Sequence, residues 1–330
     1  MKNRRRFLTI AGGALLPLSL TPRAHGQAKT RRIGFLSPFP RADIEGFVNQ
    51  LRSELEKLGW IDGRNIVWLD PRMAEGRNER LAALAAELVA QGPDVILVHS
   101  APATRALMHT TMTIPVVMVA VGNPVELGIV PNLRNPGGNV TGSTFLADES
   151  VRKLLQLLKE AAPGVRSVAL FINPTNEAAT PLLKLMQVDT AAMGLRAQVV
   201  EVSNPVDFEL AFAAIRRENT ESILLIPEPL IRSKRDAIGD FAQRHGLPLA
   251  VVGSGRFLPA GGLIAYAPAL AQYPQLTARY IDRILKGANP GDLAVEQPTK
   301  FELVINLKTA RALGLTLPES ILARADELIE

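Results

Sequence analysis

Apolar positions along this chain follow two rhythms. Short unbroken runs rich in valine, isoleucine and leucine occupy 31–37, 65–69, 94–100 and 114–120. Runs of that length and composition read as buried strands. Between them, apolar residues recur three and four apart. Ile44, Phe47, Val48, Leu51, Leu55 and Leu58 trace one such helix face, closed by Gly59. The alanine- and leucine-rich stretch 81–89 and the stretch 103–111 predict two more helices. Turn chemistry at Asn135-Pro-Gly-Gly-Asn139 precedes an extended segment over 140–145. Strand and helix alternate throughout, which predicts parallel βαβ units and a doubly wound α/β half.

The pattern then starts again. Helices are expected over 150–161, 177–193, 205–217 and 232–245, and strands over 167–172, 198–202, 222–226 and 249–252. A short strand at 263–266, a helix at 270–285, a last strand at 301–305 and terminal helices at 308–313 and 318–329 complete the chain. The fold class is therefore α/β, with two similar doubly wound three-layer lobes. The extra strand and helix suit a chain that crosses back to complete its first lobe.

The first residues change the reading of charge. Asn3-Arg-Arg-Arg-Phe-Leu-Thr9 precedes a mild apolar stretch, and small residues Ala24 and Gly26 stand where a signal peptidase reads. This is a secretory architecture, residues 1–26, cleaved near Gly26. The Arg-Arg-x-Phe-Leu string resembles a twin-arginine signal, an address and not an anchor; an ordinary secretory signal with an arginine-rich start is the other reading. The whole chain has 37 basic and 32 acidic residues. The signal holds five of the basic residues and no acid, which leaves 32 of each sign. The apparent basicity belongs to targeting and gives no support for nucleic-acid binding. The absence of cysteine excludes disulfides, thiolate metal sites and a cysteine nucleophile. His99 and His109 are too isolated for a metal site, and no catalytic constellation, metal or cofactor is expected.

Several strings carry a resemblance: Leu84-Ala-Ala-Glu-Leu-Val89 before Pro93-Asp-Val-Ile96, Thr113-Ile-Pro-Val-Val117, Asn123-Pro-Val125, Asn135-Pro-Gly-Gly-Asn-Val-Thr-Gly142, and the run from Val295 to Lys308. Over about 31–330 the chain resembles the periplasmic substrate-binding proteins of ABC transporters with the type I two-lobe fold, in the branch that includes tryptophan-binding members. The resemblance implies crossing strands near 143–145, near Tyr266 and around 291–301. It implies a first lobe of 30–144 plus 267–290 and a second of 145–266 plus 291–330. It also implies a periplasmic monomer, a small-molecule ligand held in a closing cleft, and a permease partner in the inner membrane.

In open parallel sheets, ligands bind beyond the carboxyl ends of the strands. That rule selects Ser37, Phe39, Ser100, Ala101, Pro102, Ala103, Val121 and Asn123 from the first lobe. From the second it selects Asn173, Pro174, Glu228, Gly253 and Ser254, with Tyr266 near a crossing. Ser100 either caps the helix after it or, with that helix's N–H groups, receives a ligand anion. Glu228, between two prolines, either receives a ligand ammonium or is a solvated loop residue. Phe39, Tyr266 and Phe257 are candidates to stack on an aromatic ligand. An amino acid fits this set best.

Two other functions compete. An exported NAD(P)-dependent oxidoreductase would also use an α/β sheet, but Ser37-Pro-Phe-Pro-Arg-Ala42 lacks the glycines that let a backbone approach pyrophosphate. A ligand-sensing module for a membrane receptor would look the same in sequence.

Overall fold

The computed structural model describes residues 30–330 apart from Pro227, Ser254, Arg256, Phe257, Pro259 and Ala260. The expected signal segment, Ser254 and Phe257 thus lie outside the described residues. The first lobe runs β1 (Arg31–Ser37), α1 (Arg41–Lys57), β2 (Ile66–Trp68), β3 (Arg72–Met73), α2 (Leu81–Ala90), β4 (Val95–His99), α3 (Ala101–Thr110), β5 (Val116–Gly122) and β6 (Val140–Phe145). Its strands pair in parallel in the order β2-β1-β4-β5-β6, with β3 beside the end of β1. The second lobe runs α4 (Ala147–Ala161), β7 (Ser167–Ile172), α5 (Ala179–Ala192), β8 (Arg196–Glu201), α6 (Asp207–Arg217), β9 (Ile223–Leu225), α7 (Pro229–Ser233), α8 (Arg235–Arg244), β10 (Leu249–Val252) and β11 (Ile264–Pro268). The chain then returns to the first lobe for α9 (Gln272–Leu285) and crosses again into β12 (Phe301–Asn306), α10 (Leu307–Ala312), α11 (Glu319–Leu322) and β13 (Glu327–Ile329). The second sheet has the order β13-β12-β11-β10-β9-β7-β8, parallel except where β12 runs against β11.

Period-two alternation along the strands splits each lobe into two cores. In β7, Val168 and Leu170 face α4 and α5, while Ala169 and Phe171 face the side that holds α6 and α8. In the first sheet, Ile96 and Val98 join the core under α2 and α3, while Val95 and Leu97 join the core under α1 and α9. Helix α9 supplies Leu276, Tyr280, Ile281, Ile284 and Leu285 to that face. Burying each such side chain is worth about 1.5–3 kcal/mol, so α9 is a large part of the first lobe's stability.

Three expectations are corrected. The stretch 318–329 is not one helix. Leu303 N–H donates to Asp326 Oδ2 at 2.8 Å and Asp326 N–H to Leu303 O at 2.8 Å, which draws the terminus onto the sheet edge as β13. Beside that edge, Ala310 and Ile321 enter the core of the second lobe. The last crossing does not begin at Gly291, because Leu293 and Val295 sit in the first lobe's cores and Glu296 N–H donates to Gly142 O at 2.9 Å. Residues 267 and 268 likewise end β11 in the second sheet. The Asn-Pro-Gly-Gly turn explains the close approach: a Cβ on Gly291 would lie 3.0 Å from backbone atoms of Gly137 and Gly138.

Gly142 has a stricter requirement. Its φ is 132°, and a Cβ there would lie 2.1 Å from Met118 O. The pairing of β5 with β6 slips between Met118 and Val121 beside it, with Ala120 at φ 54°. The bulge brings the two backbones too close for any side chain at 142. Replacing Gly142 with alanine is expected to cost about 3–5 kcal/mol of folding stability, checked by urea denaturation.

Candidate functional site

The carboxyl ends of the two sheets face each other across a cavity of about 370 Å³. From the first lobe it is lined by Phe39, by Asp43 and Phe47 of α1, and by His99, Ser100, Ala101, Ala120 and Asn123 at the ends of β4 and β5. The second lobe contributes Asn173, Glu228, Arg232, Arg235 and Gly253, and Tyr273 of α9 closes one side.

Backbone strain marks the first lobe's wall. Ser100 (φ 70°, ψ 155°), Ala120 (φ 54°) and Asn123 (φ 44°) adopt conformations that side chains disfavour. Each costs on the order of 1–3 kcal/mol, and such outliers cluster at ligand clamps. Ser100 occupies the N-cap of α3, yet its hydroxyl makes no capping bond. The Oγ is buried and has no hydrogen-bond partner among the described residues. The first N–H groups of a helix have no acceptor within it. Pro102 has no N–H to offer, so those of Ala101 and Ala103 remain. Together with the helix dipole they favour an anion at this end of the cavity.

The second lobe presents a carboxylate. Glu228 is 5 % exposed. Its Oε2 accepts from Ile231 N–H at 3.0 Å and so caps α7, while its Oε1 accepts from Asn173 Nδ2 at 2.9 Å. Asn173 is fixed in turn by Thr175, whose N–H and Oγ1 both donate to its Oδ1. Burial pushes the Glu228 carboxyl above the usual carboxylate range, and the bonds from Ile231, Asn173 and Leu230 oppose that rise. Glu228 is thus not a solvated loop residue.

His99 lies among the rings of Phe35, Phe39 and Phe47, with centroids 5.1, 5.9 and 5.3 Å away. Burial and the charge of Arg232 push its pKa down to about 3, so the ring is neutral near pH 7. Among the described residues, the charged side chains lining the cavity are Asp43, Glu228, Arg232 and Arg235. Two negative and two positive groups suit a ligand of no net charge. Among the same residues no group of histidine and acidic side chains could hold a metal ion, and no helix is long and apolar enough to cross a membrane.

Residues 43–329 match the family of ABC transporter substrate binding proteins. The chain belongs to this family. It is 27% identical over 291 residues to a tyrosine-binding protein of Clostridioides difficile, covering 87% of this chain and 82% of that one. A conserved domain protein from Vibrio cholerae has a similar structure, with TM-score 0.85 and 28% identity over 91% of this chain and all of that one. A Streptococcus pneumonia protein solved in complex with L-Trp shares the fold, with TM-score 0.83 and 24% identity over the same shares. Members of this substrate-binding family hold ligands and do not transform them, so the oxidoreductase alternative falls away.

Of the residues expected at the binding protein's site, Phe39, Ser100, Ala101, Asn123, Asn173, Glu228 and Gly253 line the one cavity. Apart from Ser254, which lies outside the described residues, the others stand elsewhere. Ser37 is fully buried behind the wall, where its Oγ accepts from Phe39 N–H at 3.2 Å. Pro102 is not among the lining residues, and Ala103 is buried in the first lobe's core. Val121 also enters that core, because the bulge in β5 turns it inward and leaves Ala120 in the wall. Pro174 is exposed. Tyr266 stacks on Phe301 at 5.6 Å across β11 and β12 and does not line the cavity.

Sequence reasoning missed Asp43, Phe47, Arg232, Arg235 and Tyr273; it reached His99 and Ala120 as residues at the ends of strands, but left them out of the candidate set. Asp43 carried a weak signal, an acid in the first turn of a helix. Arg232 and Arg235 carried none, since arginines on a helix face are usually solvated.

Strain without local compensation at Ser100 has a measurable consequence. Ser100→Gly is expected to stabilise the ligand-free protein by about 1 kcal/mol. Urea denaturation without ligand checks it, and a destabilised variant would show that the hydroxyl has a partner.

Proposed function

We propose that the mature chain, from Gln27, is the periplasmic component of an ABC importer. It captures an amino acid, best an aromatic one, between its lobes and delivers it to an inner-membrane permease as a monomer. One juxtaposition carries this reading: an anion-accepting helix end with an unpartnered hydroxyl on one lobe, and a buried carboxylate on the other, in a single cavity. A ligand α-carboxylate would meet Ser100 and the N–H group of Ala101. Its ammonium would meet Glu228, whose burial penalty the added charge offsets. The balanced charge of the wall and its many apolar residues fit a zwitterion with an apolar side chain. A cavity of about 370 Å³ is at the small end of ligand pockets, which span roughly 300–1,000 Å³. Relatives support the class, since one is named for tyrosine and another of the same fold was solved with L-Trp. The twin-arginine-like start supports export.

Thermal unfolding with a panel of amino acids, aromatic acids, purines and sugars tests this. A ligand at 100 times its Kd adds about 2.7 kcal/mol, and aromatic amino acids are expected to give the largest rise. Stabilisation by sugars or purines alone would overturn the reading.

Glu228 gives a second, pH-dependent test. Its carboxyl titrates above the usual range in the free protein, and a bound ammonium requires it charged. As pH falls through that raised value, binding to the protonated carboxyl must expel a proton, so affinity is full above that value and declines below it. Glu228→Gln is expected to weaken binding about ten- to hundredfold and to flatten the acid decline. Isothermal titration of L-tryptophan against both proteins over the acid range checks both effects.

A further inference from the structure

Residues Asn173-Pro-Thr-Asn176 turn the chain just beyond β7, and Asn176 N–H closes the turn by donating to Asn173 O at 3.0 Å. Asparagine suits the first position of such a turn because its side chain accepts from the backbone two residues on. Pro174 has no N–H, so the first one on offer is that of Thr175. It donates to Asn173 Oδ1 at 3.0 Å, and Thr175 Oγ1 donates to the same oxygen at 2.7 Å. A carbonyl oxygen has two lone pairs, and both are engaged here. The amide of Asn173 therefore has one polarity only. Its Nδ2 faces the other way and donates to Glu228 Oε1 at 2.9 Å. Strands β7 and β9 are neighbours in the sheet, which sets the turn and Glu228 side by side. Asn173 is 3% exposed.

This arrangement excludes one role and assigns another. An ammonium offers donors only, and Asn173 has no acceptor left to receive one. Its amide nitrogen offers donors as well. Glu228 differs, because Ile231 N–H and Asn173 Nδ2 occupy two of the roughly four acceptor sites of a carboxylate. The bond from Asn173 favours the charged carboxylate, and burial disfavours it. The other charged groups on the cavity wall are Asp43 of the first lobe and Arg232 and Arg235 of the second, with the neutral ring of His99 beside them.

We propose that Asn173 is a positioning residue that touches no ligand atom: locked by Thr175, it holds Glu228 in the orientation that presents a free acceptor to a ligand ammonium. The last step rests on the ammonium reading of Glu228, but the first test needs no ligand.

Glutamate carboxyl carbons labelled with carbon-13 report the titration of Glu228 in the ligand-free mature chain, and Glu228→Gln identifies the signal by removing it. Asn173→Ser draws the side chain out of reach of Oε1 yet keeps an oxygen for Thr175 N–H. Asn173→Asp keeps the shape and both Thr175 bonds but turns an acceptor toward Glu228 in place of the donor. Both variants should move the Glu228 titration to higher pH, Asn173→Asp further, since it also adds a like charge. Thermal melting confirms that each is folded. Isothermal titration of L-tryptophan then separates positioning from contact. Asn173→Ser should weaken binding about tenfold and move the acid decline of affinity to higher pH. On a Glu228→Gln background it should add less than about twofold. A Glu228 titration that stays in place or moves to lower pH in both variants overturns the proposal. So does a double variant that loses the full product of the single losses, which would put Asn173 on the ligand. If the wild type binds no L-tryptophan, the ammonium reading falls, and the ligand-free titration still decides whether Asn173 positions Glu228.

Discussion

A parallel sheet sends the carboxyl ends of its strands to one edge, and this chain places two such edges against each other. Everything at the cavity follows from that constraint. Helices begin where strands end, so α3 brings unpaired N–H groups to one wall and α7 brings a capping carboxylate to the other. The loops there are short, and their backbone is forced into conformations that serine, alanine and asparagine rarely adopt. Surrounding sheet and helix hold them there. The two walls are chemically opposite for the same topological reason that they are structurally alike.

Polar groups in such a place need partners. Glu228 satisfies part of its demand with Asn173 and Ile231 N–H, which leaves a carboxylate positioned but still desolvated. The hydroxyl of Ser100 finds no partner among the described residues. Asp43 meets two arginines from the far lobe. The first two features are the ones on which the proposed zwitterionic ligand rests. The third ties an element of one lobe to an element of the other.

Much of the architecture was legible because hydrophobic rhythm is a local property. Strands such as 94–100 and helices such as 44–58 announce themselves by spacing, and strand ends follow from strands. What was not legible depends on pairing. The terminal stretch looks helical by composition, yet Asp326 bonds to Leu303 and makes it a sheet edge. Val121 reads as a strand end facing the cleft, yet a slip in pairing with β6 turns it into the core. Arg235 finds its carboxylate 192 residues away, a separation that no local pattern encodes.

The route of α9 has a consequence for the making of the protein. One face of the first lobe is roofed by residues 276–285, which lie more than a hundred residues beyond the last strand of that lobe's sheet. A ribosome that has finished β6 has made a sheet with Ile33, Phe35 and Leu97 beside a single helix where two are needed. The first lobe must therefore remain an unfinished intermediate until nearly the entire second lobe has been synthesised. A chain cut between its lobes would yield no independent first half.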